Sequence, residues 1–286
     1  MKAFLDCIPC TLRQALETVR RVTDDPKVQL DVMNEVNRRL ATLDIDRTPA
    51  ALSRTAYQVV AEMTGDGDPY AADKRRHNQF VLDRYEHLKL LLDTAPSRLH
   101  RALQLAVAGN VIDLGIGVAF DIDREIEGVL AAGFARDDSR ELEAELAAKR
   151  CRILYMLDNA GEAVFDKLLI EELADHDVTA CVRGGPIIND VTMADAEQIG
   201  LAEVCRVITT GSNAVGVEWG EAGDELKAAV AAADVIISKG QANVETLMGR
   251  PENYYFILKA KCQCVAREFG VRLGDVMIVH TPRRND

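Results

Sequence analysis

The stretch from Arg152 to Glu162, RILYMLDNAGE, ends an apolar run in an acid, an amide, a glycine and a second acid, and DKLLIEELA (166–174) follows it. A short apolar run bounded by polar residues reads as a buried strand, and apolar residues recurring at three and four read as a helix. The unit recurs downstream. VTACVR (178–183), CRVITT (205–210), DVIISK (234–239) and VMIVH (276–280) are compact strand candidates. ADAEQIGLA (194–202), DELKAAVAAA (224–233) and YFILKAKCQCVAREF (255–269) read as the helices between them. Strands alternating with helices require right-handed crossovers, so this half is expected to form a doubly wound parallel sheet covered on both faces.

Working back from Cys151, the pattern changes. CTLRQALETVRRV, VQLDVMNEVNRRLATL and FVLDRYEHLKLLLDTA each carry a helical period, and no window alternates as a strand does. Gly65, Gly67 and Pro69 stop one helix before another starts near Ala71. REIEGVLAAGFARDDSRELEAELAAK (124–149) supplies two polar helices. The expected organisation is α/β: an N-terminal α-helical bundle, 1–110, packed on a Rossmann-like domain, 111–286, in which 111–150 is a helical connection.

In an open parallel sheet, ligands bind outside the carboxyl ends of the strands. Four such ends are polar here: 158–162, 183–190, 209–213 and 238–245. Their donors are carboxylates and amides, with no histidine or cysteine, which suits a hard divalent cation such as Mg²⁺ or Mn²⁺. Asp158, Asn159 and Asp190 are the expected ligands. Arg183 and Lys239 supply positive charge for a substrate phosphate, Gly240 lets backbone amides approach it, and Asn189 and Asn243 at the same strand ends are also expected to bind substrate. A metal beside a phosphate site points to metal-assisted phosphoryl hydrolysis. A purely structural reading exists for each residue alone: Asn159 with Glu162 has the spacing of a helix cap, and so does Thr192 with Asp195. Four polar ends in one domain exceed what caps require.

Composition narrows the partners. With 46 acidic against 34 basic residues, the formal charge of −12 repels nucleic acid and anionic membranes. The start MKAFLDCIPC lacks a secretory pattern and no apolar run is long enough to span a bilayer, so a cytoplasmic protein is expected.

DNAGE, GGPIINDVT and SKGQANVE resemble the signature segments of the "domain of unknown function 89" family of metal-dependent damage-control phosphatases, in its compact prokaryotic branch. GDGDPY, AGNVIDLGI and the paired cysteines near both ends carry the same resemblance. It implies a helical region on a Rossmann-like domain and a divalent metal held by Asp158, Asn159 and Asp190. It further implies phosphatase activity on small phosphorylated metabolites, including sugar phosphates and damaged cofactor precursors, with Mn²⁺, Co²⁺ or Ni²⁺ favoured in vitro. On this resemblance Asn110 and Asp113 reach the site from the helical half and Lys239 contacts the phosphate. Arg183 stands where the family more often has lysine.

Asp158 lacks the D-x-D companion of phosphoaspartate enzymes, because position 160 is alanine. Metal-activated water, with Glu162 or Asp190 assisting proton transfer, is therefore the expected catalytic route. Two competing functions are a carboxyl methyltransferase and a non-catalytic nucleotide-binding protein. Against the latter, DNAGEA stands where a G-x-G-x-x-G would follow the first strand.

The seven cysteines are odd in number and scattered, which argues for reduced thiols. Cys7-x-x-Cys10 and Cys262-x-Cys264 meet if the N-terminal helix packs on the last one. Four thiolates then suit Zn²⁺ or an iron–sulfur cluster, and two partly buried pairs capable of a reversible disulfide are the alternative.

Overall fold

The computed structural model describes residues 1–111 and 122–284. The chain begins with α1 (Cys7–Val22), α2 (Pro26–Leu40) and α3 (Pro49–Thr64). Asp25 caps α2 by accepting from the Lys27 amide at 2.8 Å, Thr48 caps α3 through the Ala51 amide at 3.1 Å, and a proline fills the first helical position of each. Gly65 ends α3 at φ 77°. These helices share a core of their own, including Ala15, Val19, Val32, Val36, Val59 and Val60.

Next come α4 (Ala71–Leu82), α5 (Tyr85–Asp93) and α6 (Arg98–Val111). The stretch expected as one helix from Phe80 is broken at Asp83 and Arg84, where the Arg84 guanidinium turns back to the Phe80 carbonyl at 2.8 Å. The α6 residues Leu103, Ala106 and Val107 lie in the same core as the sheet, so the 110/111 position falls in the last turn of a helix that covers the sheet.

The second half contains α7 (Ile122–Ala132), β1 (Arg136–Asp137), α8 (Ser139–Ala148), β2 (Arg152–Met156), α9 (Glu162–Glu172) and β3 (Asp177–Val182). Then follow α10 (Met193–Gln198), β4 (Arg206–Thr209), α11 (Asp224–Ala232), β5 (Val235–Lys239) and α12 (Gln241–Leu247). The chain closes with β6 (Tyr254–Lys259), α13 (Gln263–Phe269) and β7 (Val276–Thr281).

The seven strands form one sheet in the order β1-β7-β6-β5-β2-β3-β4. It is covered on both faces: Ile153 and Tyr155 of β2 enter the core shared with α6 and α9, whereas Leu154 and Met156 enter the core shared with α11 and α13. The doubly wound α/β expectation holds, with two corrections. The sheet is only mostly parallel, because β7 runs antiparallel to β6. The segment from Tyr255 to Phe269, expected as one helix, is a strand, a turn and a helix. Tyr254, Phe256 and Leu258 face one core while Tyr255 and Ile257 face the other, and a strand buried on both faces has no period that separates it from a buried helix.

The chain passes from β2 outward to β3 and β4, then returns to the other side of β2 for β5. The reversal between β2 and β5 is the topological switch point, where the carboxyl ends leave a crevice. Among the described residues, no helix is long and apolar enough to cross a membrane.

Candidate active site

Asp158 and Asn159 leave β2 at this switch point. Residues 189–191 run back beside them: the Ala160 amide donates to the Asn189 carbonyl, and the Val191 amide to the Asp158 carbonyl, each at 2.8 Å. An isolated bridge pairs Asn159 with Asp190. Residues far apart in sequence are thus placed side by side by backbone, without relying on loop side chains. Gly240, at φ 82° after β5, lies directly against Asp158, and a Cβ there would overlap its carboxylate.

Asp158, Asn159, Asn189 and Asp190 line a cavity of about 700 Å³ between the sheet edge and the α1–α3 bundle. Burial pushes the Asp158 carboxyl up to about 8, aided by the charges of Asp190 and Glu162. Burial raises Asp190 as well, with the Arg183 guanidinium pulling the other way. Two buried acid side chains that open side by side on a cavity are groups that could hold a cation in place of a proton.

Arg183 and Lys239, expected at a substrate phosphate, lie behind this pair. Arg183 is 3% exposed. Its Nε donates to Asp190 at 2.6 Å, Nη1 to the Gly216 carbonyl at 2.8 Å and Nη2 to the Asn243 side chain at 2.9 Å. Lys239 is 0% exposed, and its Nζ donates to Glu162 and Asp166 at 2.6 Å each and to the Ala106 carbonyl at 3.0 Å. Burial alone lowers a lysine pKa, but the Asp166 and Glu162 carboxylates outweigh it and keep Lys239 protonated. Burying an ammonium or guanidinium requires hydrogen-bonded partners, and those of Lys239 and of each Arg183 nitrogen are internal. Asn243, also buried, donates to the Leu157 and Lys239 carbonyls and so braces the ends of both strands. Glu162 is 1% exposed and stands behind Asn159, away from the cavity wall.

The cations that do line the cavity include Lys261, Arg20 and Arg21. The Lys261 charge acts on both Asp158 and Asp190. The misread strand hid it: with β6 recognised, Lys261 follows another carboxyl end, and the rule that found Asp158 finds it too. Asp166 had a readable signal as well, four residues after Glu162 on one helix face. Asn78 of α4 had none. Its Oδ1 accepts from the Gly161 amide at 2.7 Å and its Nδ2 donates to Asp195 at 3.3 Å and Gln198 at 2.9 Å. Thr192 and Asp195 make the expected capping box at α10.

Cys7, Cys10, Cys262 and Cys264 all line this same cavity. Among the described residues, no three His, Cys, Asp or Glu side chains are grouped as a metal site, and all seven cysteines are free. The expected contributions of Asn110 and Asp113 lie outside the described residues: Asp113 falls within 112–121, and only the backbone of Asn110 is described.

Fold and site define an α/β protein whose sheet carries an acid–amide–acid set at its switch point. The chain belongs to the family described as "Damage-control phosphatase ARMT1-like domain", which it matches over residues 3–277. It is 35% identical to the damage-control phosphatase PH1575 of Pyrococcus horikoshii, covering 96% of each chain. It is 32% identical to a damage-control phosphatase of Archaeoglobus fulgidus, over 97% of this chain and 98% of the relative. Its structure resembles the crystal structure of PH1575, described as a DUF89 family protein, with a TM-score of 0.88 over 98% of this chain and 99% of the other. The family read from DNAGE and its companion segments is the family found.

Proposed function

We propose that this protein is a divalent-metal-dependent phosphatase of small phosphorylated metabolites, with Asp158, Asn159 and Asp190 holding the cation. The observation that carries the reading is the buried Asp158–Asp190 pair facing the cavity, in a chain related throughout its length to damage-control phosphatases. Two carboxylates and an amide fit a hard cation such as Mn²⁺ or Mg²⁺, because every donor is oxygen. When bound, such a cation stabilises charge on phosphoryl oxygens and makes water a better nucleophile at neutral pH.

The chain's own residues do the rest. Arg183 occupies Asp190 Oδ2 from the buried side and fixes the direction of that carboxylate. Lys261 attracts the phosphate dianion in a cavity whose walls are otherwise acidic near the strand ends. Of the two acids weighed for assisting proton transfer, Asp190 faces the cavity, whereas Glu162 is held by Lys239 behind Asn159. A cavity of about 700 Å³ is of the size that takes a small metabolite.

The reading is tested by phosphate release from sugar phosphates and an aryl phosphate with Mn²⁺, Co²⁺, Ni²⁺ or Mg²⁺. Turnover that EDTA abolishes and Lys261→Ala weakens mainly through KM supports it. Full activity in EDTA refutes the metal requirement, and a covalent phosphate trapped on Asp158 refutes direct attack by water.

A further inference from the structure

The buried network behind Asn159 has a donor count that leaves one arrangement. The Lys239 ammonium has three protons, directed at Glu162 Oε1, Asp166 Oδ1 and the Ala106 carbonyl. Asp166 Oδ1 also accepts the Tyr155 hydroxyl at 2.6 Å, which fixes the far end of the network in the sheet. On the near side, the Asn159 amide has two protons, directed at Asp158 Oδ2 at 2.7 Å and Glu162 Oε2 at 3.0 Å. Glu162 therefore stands between two donors, Lys239 and Asn159, with one oxygen for each.

A side-chain amide has an oxygen face and a nitrogen face, and only the oxygen ligates a hard cation. With both N–H groups turned to carboxylates, the atom Asn159 has left for the cavity is its Oδ1. We propose that Glu162 is a positioning residue: anchored by Lys239, it locks the Asn159 amide so that the carbonyl oxygen is presented to a divalent cation. This rests on the metal reading above and adds to it a reason for burying a lysine beneath the site. A carboxylate is required at 162. Glutamine has one acceptor oxygen, so its NH₂ must oppose either the Lys239 ammonium or the Asn159 NH₂.

The test uses Mn²⁺ itself, titrated calorimetrically into EDTA-stripped full-length protein. Glu162→Gln is expected to weaken Mn²⁺ binding roughly 10- to 100-fold, the range typical of groups that orient a metal ligand, while unfolding stays cooperative. Adding Asn159→Asp to that variant is expected to restore most of the affinity. The new carboxylate accepts from the introduced glutamine's NH₂, offers an oxygen in either orientation and returns the lost negative charge. Loss through general destabilisation would not be rescued this way.

A Glu162→Gln protein that binds Mn²⁺ as tightly as wild type, or a double variant no better than the single one, overturns the proposal. An independent readout needs no variant: in metal-free wild type the Asn159 side-chain NH₂ signals are expected to exchange slowly with solvent, and rapid exchange overturns the lock. Wild type that binds no Mn²⁺ removes the metal reading and the proposal together, whereas tight wild-type binding without sensitivity to Glu162→Gln removes the proposal alone.

Discussion

At the scale of single residues, the site is a set of charges placed where burial opposes them. Glu245 of α12 shows this at the cavity wall: burial pushes its carboxyl up to about 7, against hydrogen bonds from Gln241 at 2.8 Å and from the Ala50 amide. A carboxyl raised above its unfolded value favours the protonated folded state, so its contribution to stability declines as pH rises from about 4.5 through about 7. Glu245→Gln keeps the acceptor for Gln241 and removes this penalty. Relative to wild type it should be neutral near pH 4 and more stable by about 1–3 kcal/mol at pH 8, measured by urea unfolding. A pH-independent difference would contradict the assignment. Gly240 is constrained differently, by φ 82° and by the Asp158 carboxylate where a Cβ would sit. Gly240→Ala should lower stability by about 2–4 kcal/mol and displace Asp158, with loss of Mn²⁺ affinity in calorimetry.

At the scale of elements, α4 fastens the two loops that carry the acids. Asn78 reaches Gly161 after β2 and Asp195 at the start of α10, while buried Lys74 pairs with Asp195 at 3.2 Å and Asp68 at 3.3 Å. Asn78→Ala leaves the Gly161 amide and part of Asp195 unmatched. It should cost about 2–4 kcal/mol in urea unfolding and reduce turnover more than substrate affinity, because the loops loosen where the acids sit. A change below about 0.5 kcal/mol would mean that α4 merely covers the site. Legibility from sequence follows the same division. The strand ends DNAGE and GGPIIND were readable because local polarity after an apolar run is a local signal. The strand YYFILK was not, because a run buried on both faces has no period, and with it went Lys261. The burial of Lys239 and Arg183 was equally hidden: a lysine after a strand reads the same whether it faces solvent or turns under the sheet. Asn78 acts 83 residues from its partner Gly161, a pairing that no spacing rule reaches.

At the scale of the whole molecule, the α1–α3 bundle closes a cavity that the sheet edge opens, and chain segments from both ends meet there. The Met1 ammonium donates to the Glu245 carbonyl at 2.7 Å, and the two cysteine pairs line the same wall. Phosphate together with Mn²⁺ should therefore slow alkylation of Cys10 and Cys262, followed by mass spectrometry; unchanged rates would place the ligand elsewhere. Mn²⁺ at 100 times its dissociation constant should stabilise the folded protein by about 2.7 kcal/mol, and Asp158→Asn should abolish that gain. The decisive measurement is phosphate release by EDTA-stripped protein before and after Mn²⁺ is restored, in wild type, Asp158→Asn and Asp190→Asn, each shown to be folded. No turnover is expected without metal, turnover should return with Mn²⁺ in wild type, and neither variant should recover it. Wild-type turnover that is indifferent to EDTA, or a variant that retains it, would contradict the assignment of these two acids as holders of the catalytic cation.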